Sequence, residues 1–373
     1  MDEEKIKEKF EEIYKTKLKT KVEKLERDRI EVKKKYDLFK ILSITFFVLS
    51  ILSFILTTIN NNPEIYICIF LLSLLAAIIL LVLSIKILND FRKKAKQNLL
   101  KPILALFGSF SLAQNELITL KEIKDMGLHH ISSSKFDDDN ITGTYKGVPV
   151  TMIETKLTHT VTCGKSTRTI TDFSGLIFKI RINNGFNGII IGAQNQDPMK
   201  SISTLTNVAN NPVVNTILDA TSGVFSTDST ESSSIFGNKV TKILDKITLE
   251  DFEAGNLYNI YTNNQLEARR LLSKTFFEKI KNIRNTLIAS AVDFVFKDNY
   301  LHLFICGNNT NVNEMILAVH KKRYCTAQNG FFEVGGISVT LLNKEIYLKA
   351  FRELLILFSL IDSFVSEEKI EEK

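Results

Sequence analysis

Apolar positions concentrate in two uninterrupted blocks near the N-terminus. Residues 41–59, ILSITFFVLSILSFILTTI, run nineteen positions without a charge, and residues 65–85, IYICIFLLSLLAAIILLVLSI, run twenty-one. A helix rises 1.5 Å per residue, so either block can cross a hydrocarbon core of about 30 Å. A buried helix of a water-soluble protein rarely reaches this length without a polar stripe. A charge at mid-span would cost about 3 kcal/mol to insert, and none occurs. The blocks therefore predict two transmembrane helices joined by NNNPE at 60–64. The stretch before the first block is too long and too charged for a signal peptide. Small residues recur within the spans (Ser43, Ser50, Ser53, Thr57; Ser73, Ala77, Ser84), which lets two helices approach closely in lipid.

The remaining pattern divides the chain further. Residues 1–40 read as a charged N-terminal helix. Its thin apolar seam carries Ile6, Phe10 and Ile13, then Leu18, Val22, Leu25 and Val32, and the step from Ile13 to Leu18 breaks helical register. Residues 97–128 read as helical, from Leu100, Ile103, Leu104 and Phe107, with Ser109 or Ser111 as a later cap. From Thr142 the period shortens: YKGVPVTMIETKLTHTV, TRTITDFSGLIFKIRI and FNGIIIGAQ alternate like antiparallel strands joined by tight turns. Helix and strands together form one lobe, 97–194. Residues 195–240 are rich in Ser, Thr and Asn and predict a polar flexible insert. A second α+β lobe follows over 241–373. It holds a strand at Tyr258–Thr262, two short helices, a hairpin at 291–307 turning at Asp298-Asn299, and a final helix from about Lys344 to Ser363. The fold class is thus a membrane helical hairpin plus a cytosolic α+β domain with antiparallel hairpins in a meander.

Charge orients this arrangement. The formal balance is +6. The 60–64 loop has one acid and no base. Bases flank the other ends: Lys33, Lys34, Lys35 and Lys40 before the first span, and Lys86, Arg92, Lys93, Lys94 and Lys96 after the second. The positive-inside rule places both termini in the cytoplasm and makes the protein a two-pass membrane protein. Lys33, Lys34, Lys35, Arg92, Lys93 and Lys94 then face anionic lipid head groups. No basic stripe interleaved with aromatics points to nucleic acid. The four cysteines, Cys68, Cys163, Cys306 and Cys325, include no Cys-x-x-Cys and read as free thiols of a reduced compartment.

Candidate chemistry is sparse. Gly164-Lys165-Ser166 ends like a phosphate-binding loop, but His159 stands where that loop needs its first glycine, and strand-like sequence follows instead of a helix. A hairpin tip is expected there. His129 and His130 lie near Asp137, Asp138 and Asp139, a weak set of metal candidates, since Asp-Asp-Asp-Asn before Ile-Thr-Gly is also an ordinary turn. His302 and His320 stand alone and read as surface or satisfied core residues. No nucleophile has an evident base beside it, and no cofactor is called for. Asn264, with Glu267 three positions on, has the layout of a capping box; Ser273 is placed to cap the next helix. Tyr261, Asn264, Glu267, Arg269 and Ser273 are therefore structural caps or part of a binding surface.

Three motifs carry a resemblance: Tyr145-Lys146-Gly147-Val148, Phe173-Ser174-Gly175-Leu176-Ile177-Phe178, and Tyr261 to Leu272. With the paired spans they resemble an uncharacterised family of bacterial membrane proteins. That family has two adjacent N-terminal transmembrane helices, a cytosolic domain of unknown function and a Val-Tyr, Asp, Glu-Ala-Arg-Tyr-Leu-Leu-Thr-Pro pattern. Tyr261, Glu267, Ala268, Arg269, Leu271 and Leu272 fit this pattern. Asn264 replaces its Asp, Arg270 its Tyr, and Ser273-Lys274 its Thr-Pro. A base would not survive Asp to Asn, whereas a cap does. The resemblance implies architecture and a place in the inner (cytoplasmic) membrane of a bacterial cell, not activity. The expected function is that of a membrane-anchored cytosolic binding or scaffold protein, more non-enzymatic than enzymatic, working as a homo-oligomer or with a membrane-protein partner. Alternatives are a membrane-bound hydrolase using a His/Asp metal site, and a subunit of a membrane transport complex.

Overall fold

The computed structural model describes residues 8, 10–59, 63–129, 132–163, 166–182, 186, 188–194, 244–249, 257–307, 331–332 and 334–371. The expectations for Ile6, the 60–62 loop residues, His130, the 164–165 tip, the 195–240 insert, His320 and Cys325 lie outside the described residues. In chain order the elements are a π-helical turn (Tyr14–Leu18), α1 (Lys19–Ile59), α2 (Pro63–Leu104), β1 (Ser109–Ala113), α3 (Leu120–Asp125), β2 (Ser134–Tyr145), β3 (Val148–Cys163), β4 (Ser166–Arg181), β5 (Ile189–Ala193), β6 (Asp245–Ile247), β7 (Asn259–Thr262), α4 (Gln265–Leu271), α5 (Lys274–Thr286), β8 (Ala291–Lys297), β9 (Tyr300–Cys306) and α6 (Lys344–Glu371). They fall into two compact units, 1–107 with 332–352, and 108–331 with 353–373.

In the first unit, the sequence's break in register has a structural answer. A five-residue step suits a π turn, which is wider than an α turn, and the π turn sits at Tyr14–Leu18. Phe10, Ile13, Tyr14, Leu18, Val22 and Leu25 consequently share one buried face. That face meets the start of α6: ring centroids lie 5.9 Å apart for Phe10 and Phe351, and 6.1 Å for Tyr14 and Tyr347. The lower end of α2 completes this head with buried Ala95, Leu99, Leu100, Ile103 and Leu104. A buried ion pair clasps the turn before α6. Arg29 Nε and Nη2 donate to the two Glu26 carboxylate oxygens, both at 2.8 Å, and Arg29 Nη1 donates to the Ile337 carbonyl at 2.8 Å. The Leu341 N–H and the Thr340 hydroxyl donate to the same carboxylate at 2.8 and 3.0 Å. Arg29 holds the Glu26 carboxyl below its usual range, against the effect of burial.

Further along the same two helices the pattern reverses. Phe47, Leu52, Phe54, Leu72, Ile78 and Val82 point outward, Leu72 with 68% of its surface exposed, while Ser43, Ser50, Ser53, Ser73, Ala77 and Ser84 are buried. The Ser43 hydroxyl crosses to the Ala77 carbonyl at 2.9 Å. Ser50, Ser53, Ser73 and Ser84 return their hydroxyls to carbonyls three or four residues back, which satisfies them without water. Both helices are long and apolar enough to cross a membrane.

The second unit is a nine-stranded antiparallel sheet in the order β1-β2-β3-β4-β9-β8-β5-β7-β6. This is the α+β domain that follows the helical hairpin. The 97–128 stretch is not one helix: α2 continues to Leu104, and Ser109–Ala113 then forms edge strand β1. SFSLA alternates, and only Phe110 of it is buried, against Phe358 of α6 at 5.3 Å. β3 and β4 pair from Val150↔Ile180 to Cys163↔Ser166, so a strand follows Ser166 and the phosphate-loop geometry is excluded. At 3.4 Å per residue their sixteen positions each span about 54 Å. Two turns need left-handed residues: Lys146-Gly147 between β2 and β3 (φ 49° and 84°) and Asp298-Asn299 between β8 and β9 (φ 52° and 63°). Both are two-residue hairpin connections of the kind that matches strand twist. Gly175, in the second resemblance motif, has another reason: a Cβ there would meet the Ile305 carbonyl oxygen at 2.1 Å.

Each sheet face is covered. One carries Ile153, Leu157, Phe173, Ile177, Val295 and Phe304 beneath Ile118, Ile123 and Met126 of the α3 segment. Alternation sends Phe294 and Phe296 to the other face, where Tyr258 and the α5 residues Phe276 and Phe277 pack on Phe294, with ring centroids 5.2–6.1 Å apart. Cys68 is a free thiol, but Cys306 is disulfide-bonded, through a partner side chain outside the described residues. The expectation of free thiols fails there, because spacing along a chain does not reveal which thiols meet in space.

Candidate functional site

The motif from Tyr261 to Ser273 is built from the sheet outward. Tyr261, on β7, is buried, and Lys246 Nζ lies 5.9 Å from its ring centre. Asn264 Oδ1 accepts the Glu267 N–H at 3.2 Å and caps α4. The Asn264 N–H goes to the Thr262 hydroxyl at 2.9 Å, not to Glu267. The reciprocal half of a capping box is therefore not formed, and the Glu267 carboxylate takes Arg270 instead, at 3.0 and 3.1 Å. Ser273 Oγ accepts the Phe276 N–H at 3.3 Å and caps α5. Arg269 is exposed and bonds no described residue. Asn263, which the sequence did not single out, receives the Ile189 N–H at 2.9 Å and fastens the motif to β5.

The acidic stretch divides. Asp137 pairs with Lys135 Nζ at 2.5 Å. Past the bulge that begins at Asp137, Asp138 and Asp139 gather with Glu154 of β3, their carboxylate oxygens all within 4.8 Å. Glu154 also accepts the Phe331 N–H at 3.2 Å. An all-oxygen set suits a hard cation in kind. His129 is not part of it: the imidazole is buried between Phe173 and Phe304, at centroid distances of 5.2 and 5.3 Å. Among the described residues, the carboxylates that gather come from β2 and β3, and His129 is not among them.

Two polar constellations were invisible in the sequence. In the first, buried Asp172 accepts from Ser132 Oγ at 2.7 Å and sits 2.6 Å from His159 Nδ1. Three chain segments meet there, and the members are those of a hydrolytic triad in the wrong order. Nucleophilic catalysis needs the imidazole between acid and hydroxyl, to take the hydroxyl's proton. With the carboxylate in the middle, the serine is held by hydrogen bonding and not activated.

In the second, Lys179 Nζ donates to Glu122 Oε1 at 2.6 Å and lies 4.6 Å from the Tyr300 ring centre. His302, opposite Lys179 in the β4–β9 register, has Nε2 3.9 Å from the same Glu122 oxygen. That exceeds hydrogen-bond range, and neither ring nitrogen of buried His302 has a hydrogen-bond partner. His302 is a core residue, with the Glu122 carboxylate beside its ring. The adjacent His302 ring and the bound Lys179 ammonium hold the Glu122 carboxyl down to about 2. Burial lowers the His302 pKa. This cluster fastens α3 to the sheet. The available signal was a polar residue at an inward position on each of two adjacent apolar strands.

One more buried acid stands apart. Asp293, on β8, accepts the Gln194 N–H at 2.8 Å, and burial pushes its carboxyl up to about 6. The Ser132–Asp172–His159 and Glu122–Lys179 groups each hold separate elements together.

No curated protein and no solved structure matches the chain significantly. A family described as "Protein of unknown function (DUF3137)" matches residues 171–365, from β4 through the second lobe and into α6. That range is more than half of the chain, and this protein belongs to the DUF3137 family.

Proposed function

We propose that the chain is a two-pass membrane protein whose sheet unit acts as a cytoplasmic binding or scaffold module. The observation that carries this reading is the outward belt of large apolar side chains over 41–59 and 65–85, with small residues turned inward. In water such a belt would expose a contiguous apolar surface far larger than soluble monomers tolerate; in lipid it is the expected arrangement. The bases flanking the belt favour the cytoplasmic side for the sheet unit, and the resemblance to bacterial membrane proteins favours the inner membrane of a bacterial cell. The disulfide at Cys306 pulls the other way, since cytosolic thiols stay reduced. A scaffold role is supported by the way the polar constellations tie helices to the sheet.

Two experiments test this. C-terminal fusions to green fluorescent protein and to alkaline phosphatase report the side: fluorescence with no phosphatase activity supports the cytoplasmic reading, and the converse overturns it. Crosslinking in native membranes, followed by purification and mass spectrometry, tests the role. A stoichiometric protein partner or a defined homo-oligomer supports the scaffold. Turnover of a small molecule by the purified protein would replace it with an enzyme.

A further inference from the structure

Between the apolar belt and the packed head, α1 and α2 run as a short charged stalk. The belt begins at Ile41 on α1 and ends at Ile85 on α2, whereas the head's buried apolar core begins at Leu25 on α1 and at Phe91 on α2. At 1.5 Å per residue, the stalk is about 24 Å long on α1 and about 9 Å on α2, and Arg92 and Lys93 sit on the exposed side of α2 just past Phe91. Lys33, Lys34, Lys35 and Lys40 on α1, and Lys86, Arg92 and Lys93 on α2, are all exposed. The acids among them are Glu31, Asp37 and Asp90, also exposed. Lys94 is engaged lower down, 2.6 Å from Asp28.

From this juxtaposition we infer that the stalk is a collar for anionic lipid head groups of the leaflet it emerges from. The inference rests on the reading of 41–59 and 65–85 as membrane spans. Lys40 and Lys86 adjoin the two ends of the belt and fall within the head-group layer, which is about 5–8 Å deep. Lys33, Lys34, Lys35, Arg92 and Lys93 lie about 9–12 Å from the belt. There they meet the leaflet's negative surface potential, within about one screening length at physiological salt. The two tiers sit on neighbouring helices and supply seven cations against three acids. The collar therefore recognises lipid phosphate by charge, in a plane set by the belt.

The test uses the full-length protein in nanodiscs of mixed phosphatidylcholine and phosphatidylglycerol, with native mass spectrometry of the lipids retained on release. The unaltered protein should retain phosphatidylglycerol several-fold above its bulk share, less so at high salt. A variant carrying Lys33→Gln, Lys34→Gln, Lys40→Gln, Lys86→Gln, Arg92→Gln and Lys93→Gln should retain lipids at the bulk ratio while melting at an unchanged temperature. Should that variant misfold, the lighter pair Lys40→Gln and Lys86→Gln should still reduce the enrichment at least twofold. Bulk-ratio lipids on the unaltered protein, or undiminished enrichment on folded variants, would overturn the collar and leave the anchor standing. Release of the unaltered protein by alkaline carbonate would overturn the anchor, and the collar with it.

Discussion

The head and the belt are made from the same two helices, yet they bury opposite kinds of residue. In the head, Leu18, Val22, Leu99 and Ile103 lie inside, and lysines and glutamates cover the outside. In the belt, Ser50 and Ser73 are inside while Phe47 and Leu72 face out. Helix geometry is common to both, so the proposed reading puts the difference in the surroundings. Water drives large apolar groups together; lipid gives them no such reason, and close backbone approach decides instead. On the proposed membrane reading, the level at which each helix changes sides is the plane where water gives way to lipid.

This comparison can be broken or sharpened by mutation, and the largest effect is expected in the head. Glu26→Ala would leave Arg29 buried without its partner, at a cost of about 3–5 kcal/mol, read as a fall in thermal stability. Replacing both, as Glu26→Leu with Arg29→Met, should cost far less. Because the Glu26 pKa is lowered on folding, its contribution is present above the ordinary glutamate range and is lost as pH falls below it. Next comes the belt: Leu52→Asp should cost about 3 kcal/mol of insertion, seen as protein shifting from membrane to soluble fraction. A solvent-exposed helix would tolerate the same change.

Asp293 supplies the contrasting buried carboxylate, one without a cation among the described residues. Its pKa is raised from the ordinary 3.8 to about 6. Whatever stability it lends is therefore complete below 3.8 and lost as pH rises through 6. Asp293→Asn keeps an acceptor for the Gln194 N–H and removes the charge. It should stabilise the sheet unit by about 3 kcal/mol at pH 8 and by nothing at pH 3.5, read from melting curves at the two values. A carboxylate with a hidden partner would show no gain. The smallest effect is expected at the seam: Ser43→Ala removes the bond to the Ala77 carbonyl and should cost about 0.6 kcal/mol, measured by helix association in detergent.

The parts of this molecule legible in the sequence are those set by local rules. Nineteen and twenty-one uncharged positions can only be long apolar helices, and Asp298-Asn299 between alternating runs specifies its own turn. The family resemblance rested on Gly147, a left-handed turn residue, and on Gly175, where a neighbouring strand leaves no room for a Cβ. The register break before Leu18 was visible, though its resolution by a π turn was not, since that depends on what the seam packs against. Strand β1 was misread because SFSLA is short and follows a long helix. The Asp172, Glu122 and Asp293 groups stayed hidden for a different reason: their members are brought together by sheet register across separations of 13 to 180 residues. The acidic run suggested a metal set with His129 because nearness in sequence was the guide, and the bulge in β2 turned two of its members towards Glu154 instead.

The central claim is that one pair of helices passes from water into lipid. Single cysteines at Leu52, Leu72, Val22 and Leu99, each carrying a fluorescent label in a cysteine-free background and reconstituted in vesicles, test it most directly. Nitroxide-bearing lipids should quench the labels at Leu52 and Leu72 and spare those at Val22 and Leu99. Quenching of Leu52 and Leu72 by a water-soluble agent, with no effect of the lipid quencher, would contradict the account.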